Sequence, residues 1–350
     1  MKLLLITASS GQIKRIRKSR VIAFQQLTMP YLAALTPCHW KVEHIDEEVE
    51  EIDFDREASL VGITFHTPSA AHAYNIAARF RSRGVTVVLG GPHVTLMPEE
   101  AANYADVIFV GEAEQIWPQF LKEFEQGIYN NHYELAEPPS LDQIPSPKKE
   151  LFHRRDYSSG IVCATRGCPN SCEFCTISVM YKSNFRKRPV HQVAEEFGSY
   201  KGKVIILWDD NISADLEYAR SLFKAITPYR KWWSSQASIH AGKDEEFLEL
   251  AAKSGCKQLF LGLESISQTS LNRANKGFNR VEEYYKIIKR IHSYGIAVQA
   301  GVVFGFDDDD KTIFKDTTRF LEEAGVQNAT FNILTPYPGT RLFKRLDAEG

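Results

Sequence analysis

Short β-branched runs alternate with amphipathic stretches along almost all of this 350-residue chain, in two series separated by a proline-rich stretch. Parallel strands need a crossover between them, and the crossovers cover the sheet, so this alternation points to parallel α/β architecture. In the first series, strands are expected at Lys2 to Thr7, Lys41 to Ile45, Leu60 to Phe65, Thr86 to Leu89 and Val107 to Val110. Helices are expected near Met29 to Leu35, Ala70 to Arg81, Glu99 to Tyr104 and Glu114 to Glu125. These form one doubly wound, Rossmann-like domain over 1–126. From 127 to 156 no period survives and Pro138, Pro139, Pro145 and Pro147 crowd together, which reads as a linker. The second series covers 157–350, with strands at Gly160 to Ala164, Lys203 to Leu207, Trp233 to Ala237, Gln258 to Leu263, Ala297 to Phe304 and Ala329 to Leu334. Six βα units suit a partial (β/α)6 barrel of TIM type, whose chemistry collects on the loops after the strands. The chain stops at Gly350 just inside a helix, so a further C-terminal segment is expected.

Composition removes several function classes. Hydrophobic residues make up 43% and the formal net charge is -2, an ordinary globular balance that gives no global argument for nucleic acid. No apolar run approaches the roughly 18 residues that cross a bilayer. With no apolar signal segment at Met1, a cytoplasmic protein is expected. Two basic runs, Lys14-Arg-Ile-Arg-Lys-Ser-Arg20 and Arg186-Lys-Arg188, lack interleaved aromatics and read as solvated loops.

The chemistry is concentrated in Arg166-Gly-Cys-Pro-Asn-Ser-Cys-Glu-Phe-Cys175. This Cys-x3-Cys-x2-Cys spacing supplies three thiolates, enough for three irons of a 4Fe-4S cluster. Closed electron-carrying clusters use four cysteines, so a three-thiolate site leaves one iron open to a reactant. Structural zinc would want a fourth Cys or His nearby, and the next histidine, His191, falls in a helical stretch. Cys38, Cys163 and Cys256 have no ligand spacing and are expected as buried apolar residues.

With a glycine before it and an aromatic before its last cysteine, the loop resembles the cluster loop of the radical S-adenosylmethionine (SAM) enzymes. The resemblance implies that Cys168, Cys172 and Cys175 hold the cluster, with Phe174 beside SAM. SAM chelates the open iron, and one electron from an external flavodoxin- or ferredoxin-type reductant yields a 5'-deoxyadenosyl radical. The strand ends fit the same pattern. Asp209, Asp210 and Asn211 match the place where the family holds the SAM amine, although they would also serve as a cap for a helix near Ala214. Gln236 and Glu264 end the next two strands, Glu264 reading equally as a helix N-terminal anion. Gly301-Val-Val-Phe-Gly305-Phe-Asp-Asp308 resembles the family's adenine motif and puts Val303 against the base, while Asp307 to Asp310 reads mostly as a solvated loop with a helix cap. Tyr337 closes the SAM pocket or packs in a turn.

The first series resembles the cobalamin-binding domain fused to many such enzymes. Three strand-end loops carry this, with Thr64, His66 and Ser69, then Gly91, His93 and Thr95, then Gly111 and Glu112. No Gly-x-Gly-x-x-Gly marks a nicotinamide fold instead. The Asp-x-His-x-x-Gly axial motif is also absent, so cobalamin is expected without a histidine from it, and His66 and His93 also read as satisfied loop histidines. Together the resemblances imply a cobalamin-dependent radical SAM methyltransferase acting on an unactivated carbon of a small-molecule or lipid substrate. The alternatives are a radical cyclase or rearrangement enzyme and a cobalamin-independent radical SAM enzyme.

Overall fold

The computed structural model describes residues 1–9, 25–152, 157 and 159–350; the basic run Lys14 to Arg20 lies outside them. The chain divides into two compact units, Met1–Ser158 and Ser159–Gly350.

The first unit is one parallel sheet in the order β2-β1-β3-β4-β5-β6, built from β1 (Lys2–Thr7), β2 (Lys41–Asp46), β3 (Leu60–Thr64), β4 (Thr86–Gly90), β5 (Val107–Val110) and β6 (His132–Glu134). All residues of β3 and β5 are buried, as expected of inner strands of a parallel sheet covered on both faces. Ala70–Arg81 packs on one face, and Thr28–Leu35 with Trp117–Glu125 packs on the other. Two expectations change. The Glu99 to Tyr104 helix is only the short Pro98–Ala101, and a second short helix that was not expected, Pro92–Leu96, precedes it, each opened by a proline. The stretch read as a linker contributes β6, which pairs with β5. Only Tyr133 of β6 is buried, stacked on Phe109 at 5.0 Å, and three residues with one buried side chain leave no period to read.

The second unit is a six-stranded parallel sheet in the order β14-β13-β12-β11-β10-β7, the open partial barrel expected. Its strands are β7 (Gly160–Val162), then β10 (Val204–Leu207), β11 (Trp232–Ala237), β12 (Cys256–Glu264), β13 (Ala297–Phe304) and β14 (Asn328–Ile333). Between β7 and β10, the short antiparallel pair β8 (Thr165–Arg166) and β9 (Arg186–Lys187) brackets the cysteine loop. Along β12, Leu259, Leu261 and Leu263 are buried and join the core under the helices, whereas Gln258, Phe260, Gly262 and Glu264 between them stay half-exposed. β13 behaves alike, with Val298, Ala300 and Val302 in the core. The half-exposed set therefore lines the inner, concave face. No described helix is long and apolar enough to cross a membrane.

Candidate active site

The cysteine loop starts where β8 ends and runs into the helix Thr176–Met180. Gly167 is required at its entry: φ is +84°, and a Cβ there would lie 1.9 Å from the Asn184 carbonyl oxygen. The loop is braced from outside by two other segments. Glu173 N donates to Ala274 O at 2.9 Å, Asn275 Nδ2 donates to Ser171 O at 2.8 Å, and Arg345 holds Glu173 at 2.9 Å and Asp307 at 3.1 Å. Arg273 pairs with Asp308, while Asp309 and Asp310 accept backbone N–H groups of Gly305 and Thr312. Two of the four aspartates are thus local caps, and the other two are ion-paired.

Cys172 is buried while Cys168 and Cys175 are half-buried. Burial pushes the Cys172 thiol up to about 11, against the pull of the Lys276 ammonium. Among the described residues no three His, Cys, Asp or Glu side chains form a single-ion site. A cluster instead takes one thiolate per iron. The surroundings suit thiolates, with a cation facing Cys172 and Cys175 and the Asn211 amide 3.7 Å from Cys168 Sγ.

Asp209, expected as a SAM amine acceptor, lies just after β10 beside the strand that leads to the cysteine loop. It is 1% exposed, and its Oδ1 accepts from Ala164 N at 3.0 Å, from Thr165 N and from Thr165 Oγ1 at 2.8 Å. That oxygen holds the backbone leading to the cysteines, while Oδ2 has no partner among the described residues. Asp210 Oδ2 likewise accepts from Gly167 N at 2.8 Å. The helix-cap alternative is not met: that helix begins at Leu216 and is capped by Asp215, which accepts from Tyr218 N. Arg188, read as part of a solvated basic loop, is 2% exposed, paired with Glu196 at 2.8 Å and donating to Cys163 O. Cys163 and Cys256 are buried as expected, but Cys38 is exposed.

Gln236, Glu264 and Val303 lie half-exposed on the alternating, inward set of their strands. Phe174 meets Phe306 edge-on at 6.2 Å, and Tyr337 is half-buried in the turn whose Thr340 caps the last helix. Glu264 has φ +65°, unusual for a side chain of that size, at a register break between β12 and β13. Held strain of this kind collects at functional positions. Its carboxylate is 2.6 Å from Lys276 Nζ, so it is an ion-pair partner and not a helix-terminal anion. Burial lowers the Lys276 pKa, and Glu264 and Cys172 together outweigh it and keep the ammonium charged. Sequence spacing missed Lys276 because no local pattern ties it to the strand end.

In the first unit the three loops meet through their own side chains. Thr95 Oγ1 accepts from Gly111 N at 3.0 Å and donates to Gly91 O at 3.0 Å. Thr64 and Ser69 are buried and Glu112 is half-buried. His93 is a satisfied histidine, 3% exposed, with Thr67 Oγ1 at 3.1 Å and the Glu100 carboxylate at 3.5 Å. His66 instead stands open to solvent at the end of β3, although surrounding protein lowers its imidazole pKa. The two glycines differ. A Cβ at Gly91 would lie 2.3 Å from Thr64 Oγ1 and 3.2 Å from Phe65 N, whereas at Gly111 it would meet nothing within 4 Å. Gly91 therefore lets two loops approach, and Gly111 borders open space.

Residues 162–321 match the Radical SAM superfamily and residues 27–121 match the B12 binding domain. The bacteriochlorophyllide d C-8(2)-methyltransferase of Chlorobaculum tepidum is 30% identical over 344 residues, 93% of this chain and 76% of that one. This chain is a radical SAM enzyme with a B12-binding domain. The same organism's bacteriochlorophyllide d C-12(1)-methyltransferase is 29% identical over 334 residues, 91% of this chain and 73% of its own. The fold agrees with that of the radical SAM methyltransferase TsrM from Kitasatospora setae, solved with cobalamin and a [4Fe-4S] cluster. The TM-score is 0.83 over 99% of this chain and 75% of that chain, at 15% identity.

A radical SAM enzyme with this domain uses a 4Fe-4S cluster, SAM and cobalamin, and the residues present fit all three. Three thiols share one braced loop, polar groups line the open inner face, and Gly111 leaves room at the carboxyl ends of a doubly wound sheet. Two predictions follow from the geometry. Gly111→Val is expected to expel corrinoid while the unit stays folded, its left-handed φ of +77° costing about 1–2 kcal/mol. Gly91→Val should instead unfold the first unit, because at φ +97° its side chain would run into Thr64 Oγ1 and the Phe65 backbone; circular dichroism beside corrinoid absorbance separates the two. Lys276→Met removes the partner of Glu264 and is expected to weaken SAM binding by about 1.5–3 kcal/mol, the worth of a charged hydrogen bond. Calorimetry showing unchanged affinity would count against that role.

Proposed function

We propose that this enzyme transfers a methyl group to an unactivated carbon of a small-molecule or lipid substrate that lies over the inner face of the second unit. When bound, the cluster with SAM supplies a hydrogen-abstracting radical and cobalamin supplies the methyl group. The chain's own residues do the positioning. Cys168, Cys172 and Cys175 would hold the cluster, while Gln236, Glu264 and Val303, with Phe174 and Tyr337 at the margin, would line the SAM site. Lys276 would balance Glu264 and the thiolates. Thr64, His66, Ser69, Gly91, Thr95, Gly111 and Glu112 would shape the corrinoid site, His66 by its open imidazole and Gly111 by its missing side chain. An external flavodoxin- or ferredoxin-type protein would supply the electron.

The observation that carries this reading is the braced three-cysteine loop above a half-exposed polar inner face, in a chain that also has a B12-binding domain. The bacteriochlorophyllide d methyltransferases among its relatives make a tetrapyrrole the first substrate to try. The experiment is anaerobic turnover of the reconstituted, cobalamin-loaded protein with trideuteriomethyl-labelled SAM and bacteriochlorophyllide d or a hopanoid. Label in the substrate, with S-adenosylhomocysteine and 5'-deoxyadenosine in equal amounts, is the expected result. A second reading has support from the 24% identity, over 343 residues, to an anaerobic magnesium-protoporphyrin IX monomethyl ester cyclase of Cereibacter sphaeroides. 5'-Deoxyadenosine with no S-adenosylhomocysteine would favour that cyclase-type outcome and overturn methylation.

A further inference from the structure

The Asn211 side chain is 6% exposed at the end of β10, and its amide has only one consistent orientation. Its Oδ1 accepts from Ser213 Oγ at 2.7 Å and from the backbone N–H of Ser238 at 3.1 Å. A flipped amide would set its NH2 group against that N–H, donor against donor. The backbone on either side is pinned as well, Ile212 N donating to Gln236 O at 3.0 Å and Ala214 N to Asn211 O at 3.1 Å. Nδ2 is therefore left on the cysteine-loop side, 3.7 Å from Cys168 Sγ. The two aspartates before it accept from Ala164, Thr165 and Gly167 instead.

We propose that Asn211 acts through Cys168, donating an N–H···S hydrogen bond that raises the reduction potential of the cluster, instead of receiving the SAM amine. The inference rests on the reading of Cys168, Cys172 and Cys175 as cluster ligands. A donor on a ligand sulfur draws off negative charge and so favours the reduced cluster, which carries one more electron. The consequence for the reaction is a cluster that an external donor reduces more readily. Ser213 and Ser238 hold the amide for this task, and both lie outside the cysteine loop.

The test uses the full chain, anaerobically reconstituted without SAM, in a redox titration followed by electron paramagnetic resonance. At the wild-type midpoint, Asn211→Ala is expected to lower the ratio of reduced to oxidised cluster about tenfold, a shift of about 59 mV for one electron. Asn211→Asp, which keeps both acceptor bonds but offers the sulfur no donor, should fall at least as far. Ser213→Ala, which frees one anchor of the amide, should fall less. Wild-type protein that takes up no iron overturns the cysteine reading itself. Variants that load the cluster and titrate with the wild type overturn only the inference, and so does a loss of SAM affinity at unchanged potential. If Asn211→Ala fails to load, Ser213→Ala and Asn211→Asp decide by the same criterion.

Discussion

Alanine at Cys168, Cys172 or Cys175 is expected to abolish the iron-sulfur chromophore and, with it, SAM cleavage, whereas alanine at Cys38 or Cys256 should leave both intact. Each of the three thiols sits on a loop braced at Ser171 and Glu173, so the loss of one cannot be made good by a neighbour swinging in. The other cysteines are poor substitutes. Cys256 lies in β12, 2% exposed, and burial raises its thiol well above the ordinary range. Cys163 is buried, its thiol pushed up to about 12 and its hydrogen donated to Thr165 O at 3.1 Å. Thiolates, not thiols, bind metal. Iron and sulfide analysis after anaerobic reconstitution checks this, and full iron content in Cys172→Ala would sink the assignment.

Asp209→Ala should be the most damaging substitution that touches no cofactor. It strands three donors, on Ala164 and Thr165, in a region where those residues are 0% and 1% exposed. A buried donor left unmatched costs about 1–3 kcal/mol. The sum reaches a sizeable part of the roughly 5–15 kcal/mol that keeps a domain folded. Asp209→Asn keeps the acceptor and should fold. The pair also reveals a pH dependence. Burial raises the Asp209 carboxyl to about 7, the Thr165 donors offsetting only part of it, and Oδ2 has no partner among the described residues. Between about pH 4 and 7 the folded chain thus keeps a proton that the unfolded chain releases, so the stability from this group is full at low pH and is lost as pH rises through about 7. Wild-type unfolding midpoints should therefore fall more steeply over that window than those of Asp209→Asn. Identical slopes would show that Asp209 stays ionised throughout.

What the sequence made legible was whatever depends on local pattern. Strands such as Ala297–Phe304 announce themselves because every second residue must enter a core, and the cysteine spacing is carried by eight consecutive residues. What it hid depends on partners far along the chain. Asp209 looks like a strand-end acceptor until the fold brings Thr165 to it across 44 residues. Arg188 looks like part of a solvated basic run, yet the structure closes Glu196 and the Cys163 carbonyl over it. Lys276 carries no local mark, and its meaning arises only when Glu264 turns through a left-handed backbone angle to meet it. His93 and His66 looked alike in sequence, and only burial tells them apart.

The alternation along β11, β12 and β13 has an evolutionary corollary. Odd and even positions of one strand answer to different demands, leucines and valines to the helices behind and Gln236, Phe260 or Val303 to whatever rests in front. Mutations on the forward set can retune what the enzyme accepts at little expense to folding, while those on the rear set are purged whatever they would do for chemistry. A lineage built this way can explore new substrates through a handful of interleaved positions and inherit its scaffold unchanged.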